Sequence, residues 1–389
     1  MDEIYRERVC ALALNAVFGF EPKISRQLAD NLGSARAVFG LGKEEIGQIF
    51  GPYSKYAPKI NDSTLAAAER EYRRLGEEGC YYIAYSEDCY PPLLRECEDP
   101  PSGLYVRSAS PPEDIFCREA YVSVVGTRDI SPYGTEWARR LVRAAAQAPT
   151  RPTIVSGFAL GVDINAHMAA LDNGIPTIAV LPVGIDDVYP RRHRAIAERL
   201  AATPGCALVT DYPPGTAAQA FNFLRRNRII AGMSGSTILV ESKLKGGGTM
   251  TARLAASYGR EVFCLPGRID DLRSQGCNLL IQEKIAESIS SLAGFGASLG
   301  LGRFNLRRKA DVAKMVGERY RHRGDVTDLA LITDIAGTVR SYPGITVDEI
   351  SARLGRPYPE ISAMTRLLES DGIISMDLLQ RCTTIGKIV

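Results

Sequence analysis

Histidine is scarce in this 389-residue chain, with three in all, and the nine cysteines include no CxxC pair. Zinc sites need closely spaced Cys and His ligands, and a disulfide framework needs paired cysteines, so neither is expected. Cys80, Cys89 and Cys97 stand at no ligand or redox spacing and read as structural. Long apolar runs are also missing. None approaches the roughly 18 residues of a spanning helix, and the opening MDEIYRER is charged, without the apolar core of a signal peptide. The expected setting is a reducing cytoplasm, with no membrane association, no metal and no cofactor.

What is present is ordinary in bulk and uneven in detail. Hydrophobic residues make up 45% and charged residues 24%, a balance that supports two or three globular domains. The net charge of +2 conceals an acidic head: residues 1–120 hold 14 Lys/Arg against 20 Asp/Glu, whereas residues 121–290 hold 19 against 14. A polyanionic partner would therefore meet the middle of the chain.

The most informative stretch runs from Phe221 to Thr251, FNFLRRNRIIAGMSGSTILVESKLKGGGTMT. It reads as a basic helix with Arg225, Arg226 and Arg228, then an apolar strand, then a Lys- and Gly-rich loop opening a second helix. Three glycines admit close backbone approach, and a helix N-terminus offers free N–H donors to an anion. The stretch has neither the GxxxxGK[ST] of a nucleotide-hydrolysing P-loop nor the GxGxxG of a dinucleotide fold. Phosphate is the indicated ligand chemistry, against the plainer reading of a tight turn with solvated lysines.

Along the chain, helical periodicity at Val9, Leu12, Leu14 and Val17, and again at Ile24, Leu28 and Leu32, predicts a small helical domain over 1–78. It reads as a packed cap or as a DNA-backbone-binding hairpin of the helix-hairpin-helix or SAM-like kind. Pro91-Pro92 and Pro100-Pro101 suit an extended connector between short strands at Tyr81–Tyr85 and Leu104–Val106. From Tyr121 continuous apolar strands alternate with helices, which predicts a parallel sheet covered on both faces. The fold class is thus α/β, an extended Rossmann-like sheet over 79–292. A linker with a basic segment follows over 293–326, then three helices and a terminal strand pair over 327–389 that suggest a winged helix.

In such a sheet ligands sit beyond the carboxyl ends of the strands, and several strands here end in glycine or a cation. The residues expected to hold phosphate are Arg128, Gly157, Gly161, Arg194, Arg226, Asn227, Arg228, Lys243, Lys245, Gly247, Gly248 and Thr249. Phe158, Tyr189, Phe221 and Phe223 lie beside the same loops and are candidates to stack on bases. Asp163 and His167, four apart on one helix face, read as local structural contacts in preference to an acid–base pair.

Several blocks in order carry a family resemblance: VGTR from Val125, SGFALGVDINAHMAAL from Ser156, GIDDVYP from Gly184, RNRIIAGMS from Arg226, GGGTMTARLA from Gly246, GREVFCLPG from Gly259 and GCNLLI from Gly276. Together they resemble the bacterial DNA-processing protein A family, DprA or Smf. Departures are Phe223-Leu224-Arg225, where that family commonly has Phe-Pro before its RNR block, and Leu160 at an often basic position. The resemblance implies a non-enzymatic protein that binds single-stranded DNA without sequence preference during natural transformation and recombination. It further implies loading of the RecA recombinase and a homodimer through the Rossmann-like domain. A competing expectation is a nucleotide-binding phosphoribohydrolase of the lysine-decarboxylase-like type, whose PGGxGTxxE motif has a catalytic glutamate. Here Arg253 and no carboxylate stands in the glycine block.

Overall fold

The computed structural model describes residues 3–19, 21–51, 53–148, 150–292, 295, 299, 319–320, 328–341, 345–376 and 380–384. The basic run expected over 303–323 lies outside them except for Arg319 and Tyr320, as do Leu378 and most of the linker. Contacts divide the chain into two units, Met1–Gly302 and Arg303–Val389.

The first unit is built on a nine-stranded sheet in the order β1-β2-β6-β5-β4-β3-β7-β8-β9. Its strands are β1 (Cys80–Ala84), β2 (Gly103–Arg107), β3 (Tyr121–Val125), β4 (Thr153–Ser156), β5 (Thr177–Val180), β6 (Ala207–Thr210), β7 (Ser236–Leu239), β8 (Glu261–Cys264) and β9 (Glu287–Ser288). Strands β3 to β9 run parallel. The segments YVSVV, TIVS, TIAV, ALVT and STIL are buried at every position, as β-branched runs covered on both faces should be. The two strands around the proline pairs form an antiparallel pair that extends the sheet from β6. The prolines themselves stay in the link between β1 and β2, where no ladder donor is needed.

Helices of eight or more residues in this unit are α1 (Glu3–Phe18), α2 (Pro22–Leu32), α3 (Lys43–Phe50), α4 (Asp62–Glu77), α5 (Pro132–Ala146), α6 (Val162–Asp172), α7 (Arg194–Ala202), α8 (Ala220–Met233), α9 (Gly247–Ser257) and α10 (Gln275–Gln282). The first four do not form a separate core. Leu12, Leu14 and Phe18 of α1 share one apolar cluster with Tyr82 and Tyr105 of the sheet and with Leu181 and Leu200. Tyr82 donates its hydroxyl to the Ala11 carbonyl at 3.3 Å, and Tyr105 donates to Glu71 at 2.7 Å.

Chain order in the sheet runs β3, β4, β5, β6 to one side and then β7, β8, β9 to the other. The reversal places the topological switch between β3 and β7, the position where open α/β sheets leave a crevice at their carboxyl edge.

The second unit holds α11 (Leu329–Ser341), α12 (Val347–Leu354) and α13 (Tyr358–Ser370), with β10 (Ile345–Thr346), β11 (Ile374–Met376) and β12 (Arg381–Thr384). The strands form an antiparallel sheet in the order β10-β12-β11. Ile332, Ile335, Val339, Ile350, Ile361 and Leu368 fill its core. A capping box starts α12: Glu349 N–H donates to Thr346 Oγ1 at 3.3 Å while Thr346 N–H donates to the Glu349 carboxylate at 2.9 Å.

Candidate nucleic-acid interface

Four loops and the start of α8 meet at the carboxyl edge of the parallel strands. After β3 the chain turns through Thr127 and Arg128, and Thr127 N–H donates to the Glu241 carbonyl beyond β7 at 2.7 Å. Val162 N–H donates to the Thr127 carbonyl at 3.1 Å, joining the loop after β4 to the same turn. Gly161 has φ +77, and a Cβ there would strike the Thr127 and Arg128 carbonyls, so only glycine allows the two loops to close. The loop after β5 joins through His193, whose Nδ1 lies 3.1 Å from the Phe158 carbonyl.

On this edge the Arg128 guanidinium lies 4.5 Å from the centre of the Phe223 ring. Phe223 in turn meets Tyr189 edge to face, with ring centres 5.2 Å apart. Arg128, Tyr189, Arg194, Phe221, Lys243, Lys245 and Gly247 are exposed, while Gly161, Phe223 and Asn227 are half-buried. The result is a solvent-facing row of cations and aromatic rings flanking the switch point.

Other expected site residues are not on that surface. Arg226 is 3% exposed; its Nη1 donates to the Val180 carbonyl at 2.6 Å, and a Cβ at Gly157 would strike its guanidinium. Burial lowers its pKa to about 10, against the pull of Asp163, whose own pKa burial raises. Arg228 pairs with Asp211 at 2.5 Å and also donates to the Asp99 carbonyl. For Arg226 the cause is helical phase. In α8 the buried stripe includes Asn222, Arg226, Ile229, Ile230 and Met233, spaced by four, three, one and three, so Arg226 faces inward with the apolar residues.

Three further expectations are corrected. Phe158 is fully buried with φ 59, between His167 and His193 at ring distances of 5.5 and 5.4 Å, and is a core residue, not a base platform. The Thr249 hydroxyl is withdrawn and lies 2.9 Å from both Ser242 Oγ and the Lys243 carbonyl. Gly248 is buried and its position packs on Gly126, so of the loop's glycines it serves packing, while Gly247 faces out. His167 contacts Thr177 Oγ1 at 2.7 Å, and Asp163 accepts from Ala159 N–H at 3.3 Å, in line with a structural role for both.

Two participants carried no clear signal in the sequence. Arg273 Nη2 lies 2.9 Å from Asp129 on the Arg128 turn, so its charge is partly neutralised there. Glu241, a lone carboxylate after a buried strand, folds back onto the start of α5: Ser131 donates to it through N–H at 2.9 Å and through Oγ at 2.5 Å. Among the described residues no group of three or more His, Cys, Asp or Glu could hold a metal, and no helix is long and apolar enough to cross a membrane.

Fold and edge together define a Rossmann-like α/β protein with exposed cations and aromatic rings at its switch point. The family model for DNA recombination-mediator protein A matches residues 81–297, and the chain belongs to that family. The Smf protein of Escherichia coli strain K12 is 34% identical over 300 residues, 74% of this chain and 73% of its own length. The DNA processing protein DprA of Streptococcus pneumoniae is 37% identical over 197 residues, 51% of this chain and 67% of its own. The X-ray structure of the S. pneumoniae protein superposes with a TM-score of 0.60 at 29% identity, covering 75% of this chain and 95% of that one. A Helicobacter pylori DNA processing protein A, whose structure is described for its single-stranded DNA binding mode, gives a TM-score of 0.50 at 30% identity over 56% of this chain and 95% of its own.

Proposed function

We propose that the rim binds single-stranded DNA without sequence preference, and that the protein does so in natural transformation and DNA recombination. The observation that carries this reading is the Arg128–Phe223–Tyr189 row. A cation over one ring, with a second ring set edge to face against it, offers phosphate neutralisation and base stacking in one track, the combination single strands need. Arg194, Lys243 and Lys245 extend the charge on either side. The ligand described for the H. pylori relative supports the same reading. In this proposal the bound strand is protected and passed to the RecA recombinase, the protein works as a homodimer through its Rossmann-like domain, and it catalyses no reaction. We further read 1–78 as a SAM-like or helix-hairpin-helix-like domain and 327–389 as a winged helix.

Fluorescence anisotropy with single-stranded and duplex oligonucleotides tests the proposal. Binding should favour the single strand, and four cations on phosphates should give a slope of log affinity against log salt of about −3. Equal affinity for duplex, or a slope near zero, would contradict it. The phosphoribohydrolase reading fits less well, because Arg253 of α9 pairs with Glu283 at 2.6 Å and the helix supplies no catalytic carboxylate. Nucleoside monophosphates incubated with the protein should release no free base.

A further inference from the structure

In doubly wound folds the helix after the first parallel strand points its N-terminus at the switch crevice, and a ligand phosphate sits there. Here that strand is β3 and that helix is α5. The cradle is filled from within. Glu241 enters from beyond β7, with only 1% of its surface exposed, and accepts from Ser131 N–H at 2.9 Å and from Ser131 Oγ at 2.5 Å. Among the described residues no cation lies within salt-bridge distance of it. Its negative charge is met instead by hydrogen-bond donors and the positive end of α5, the environment a phosphate would receive.

Local sequence makes room for the carboxylate. A Cβ built at Gly134 would strike the Glu241 carboxyl group, so any larger residue would expel it. Ser131 caps α5 by accepting from Gly134 N–H at 2.9 Å, which orients its hydroxyl proton toward Glu241. The Glu241 carbonyl meanwhile holds Thr127 N–H at 2.7 Å. One residue thus occupies the anion position and pins both ends of the Arg128 turn.

We propose that Glu241 is the resident anion of the switch-point cradle and the residue that closes it to free phosphate and mononucleotides. The fold keeps the anion geometry of a doubly wound sheet but satisfies it internally, leaving the outer rim for a phosphate-bearing ligand. This inference stands whether or not the rim binds single-stranded DNA.

Isothermal titration with inorganic phosphate and with adenosine monophosphate, at ionic strength balanced by chloride, provides the test. The wild-type protein should show no binding of either that depends on the Ser131 hydroxyl. Glu241→Ala vacates the cradle and should bind phosphate at least about tenfold more tightly than wild type, as expected for two charge-assisted hydrogen bonds regained. Phosphate should also raise the melting temperature of Glu241→Ala and not that of the wild type. Adding Ser131→Ala to that variant should abolish the gain, locating the ion at α5. Glu241→Ser is the second variant should the alanine protein fail to fold, since it hollows the site while keeping a hydroxyl. Phosphate binding by the protein with Glu241 in place that Ser131→Ala abolishes would overturn the proposal. So would a folded Glu241→Ala or Glu241→Ser protein that binds no phosphate, or binding that survives loss of the Ser131 hydroxyl. Oligonucleotide affinity, measured alongside, reports separately on the rim.

Discussion

Arg228 Nη2 lies 2.5 Å from Asp211 Oδ2, with 6% and 3% of the two side chains exposed. Arg225 adds a second cation 3.9 Å from the same carboxylate oxygen and donates to the Gly19 carbonyl, while Asn15 of α1 donates to the Asp211 carbonyl at 3.2 Å. Arginines that the sequence offers as phosphate ligands thus join the N-terminal helices to the end of β6. Removing one partner of a buried pair strands the other charge, so Asp211→Ala should cost about 3–5 kcal/mol in denaturant unfolding. The double replacement Asp211→Leu with Arg228→Met should recover part of that loss. If Asp211→Ala unfolds like the wild type, the pair is not structural.

Arg128 is exposed and has a ring beneath it, so its replacement should act on binding more than on folding. Arg128→Ala should weaken single-strand affinity by about 1–2 kcal/mol and make the salt slope shallower by about 0.7. Anisotropy titrations at four or more salt concentrations read both. Phe223→Leu, which keeps the apolar bulk and removes the ring face, should lower affinity without changing the slope.

Two aromatics of similar sequence context should separate cleanly. Tyr189→Ala, at the open end of the row, should reduce binding by about 1–3 kcal/mol with stability almost unchanged. Phe158→Ala should destabilise the fold by about 3–5 kcal/mol, and any binding loss should follow the unfolded fraction. Parallel thermal melts and oligonucleotide titrations distinguish the two. Reversed behaviour would put the stacking surface on the loop after β4.

Acid sensitivity should centre on His167. Burial, with Arg226 and His193 adding to it, lowers its pKa from the ordinary 6.5 to about 3, and burial lowers that of His193 as well. Between these limits the unfolded chain binds a proton that the folded one refuses, so stability is complete above pH 6.5 and falls as pH drops toward 3. Asp163, whose pKa burial raises, acts oppositely: its share is present below the ordinary 3.8 and fades as pH rises through its folded value. The two effects oppose each other, and removing the His167 imidazole isolates the histidine share. Urea unfolding at pH 7.5, 6 and 5 should show declining stability in the wild type and a flatter profile in His167→Asn.

The alternation of apolar strands and helices from Tyr121 onward already specifies a parallel sheet, because runs such as YVSVV and STIL have no polar face to give to water. The same pattern puts glycine and cationic loops at strand ends, so which loops gather at the carboxyl edge of the sheet was legible without coordinates. Arg128, Tyr189, Lys243 and Lys245 were found that way and stand on it.

Whether a particular arginine reaches that edge was a different matter. Composition marks Arg226 and Arg228 as phosphate ligands as readily as Arg128, yet α8 is covered on more than one side and buries both, the Val180 carbonyl accepting from Arg226 and the Asp211 carboxylate from Arg228. The role of Glu241 was equally hidden, since it depends on two loops more than a hundred residues apart meeting across the switch point. Residue type and local period determine which elements form and which chemistry the chain carries. Only tertiary packing decides which charges face water and which are spent inside, because a buried ion must find its partners wherever the fold brings them.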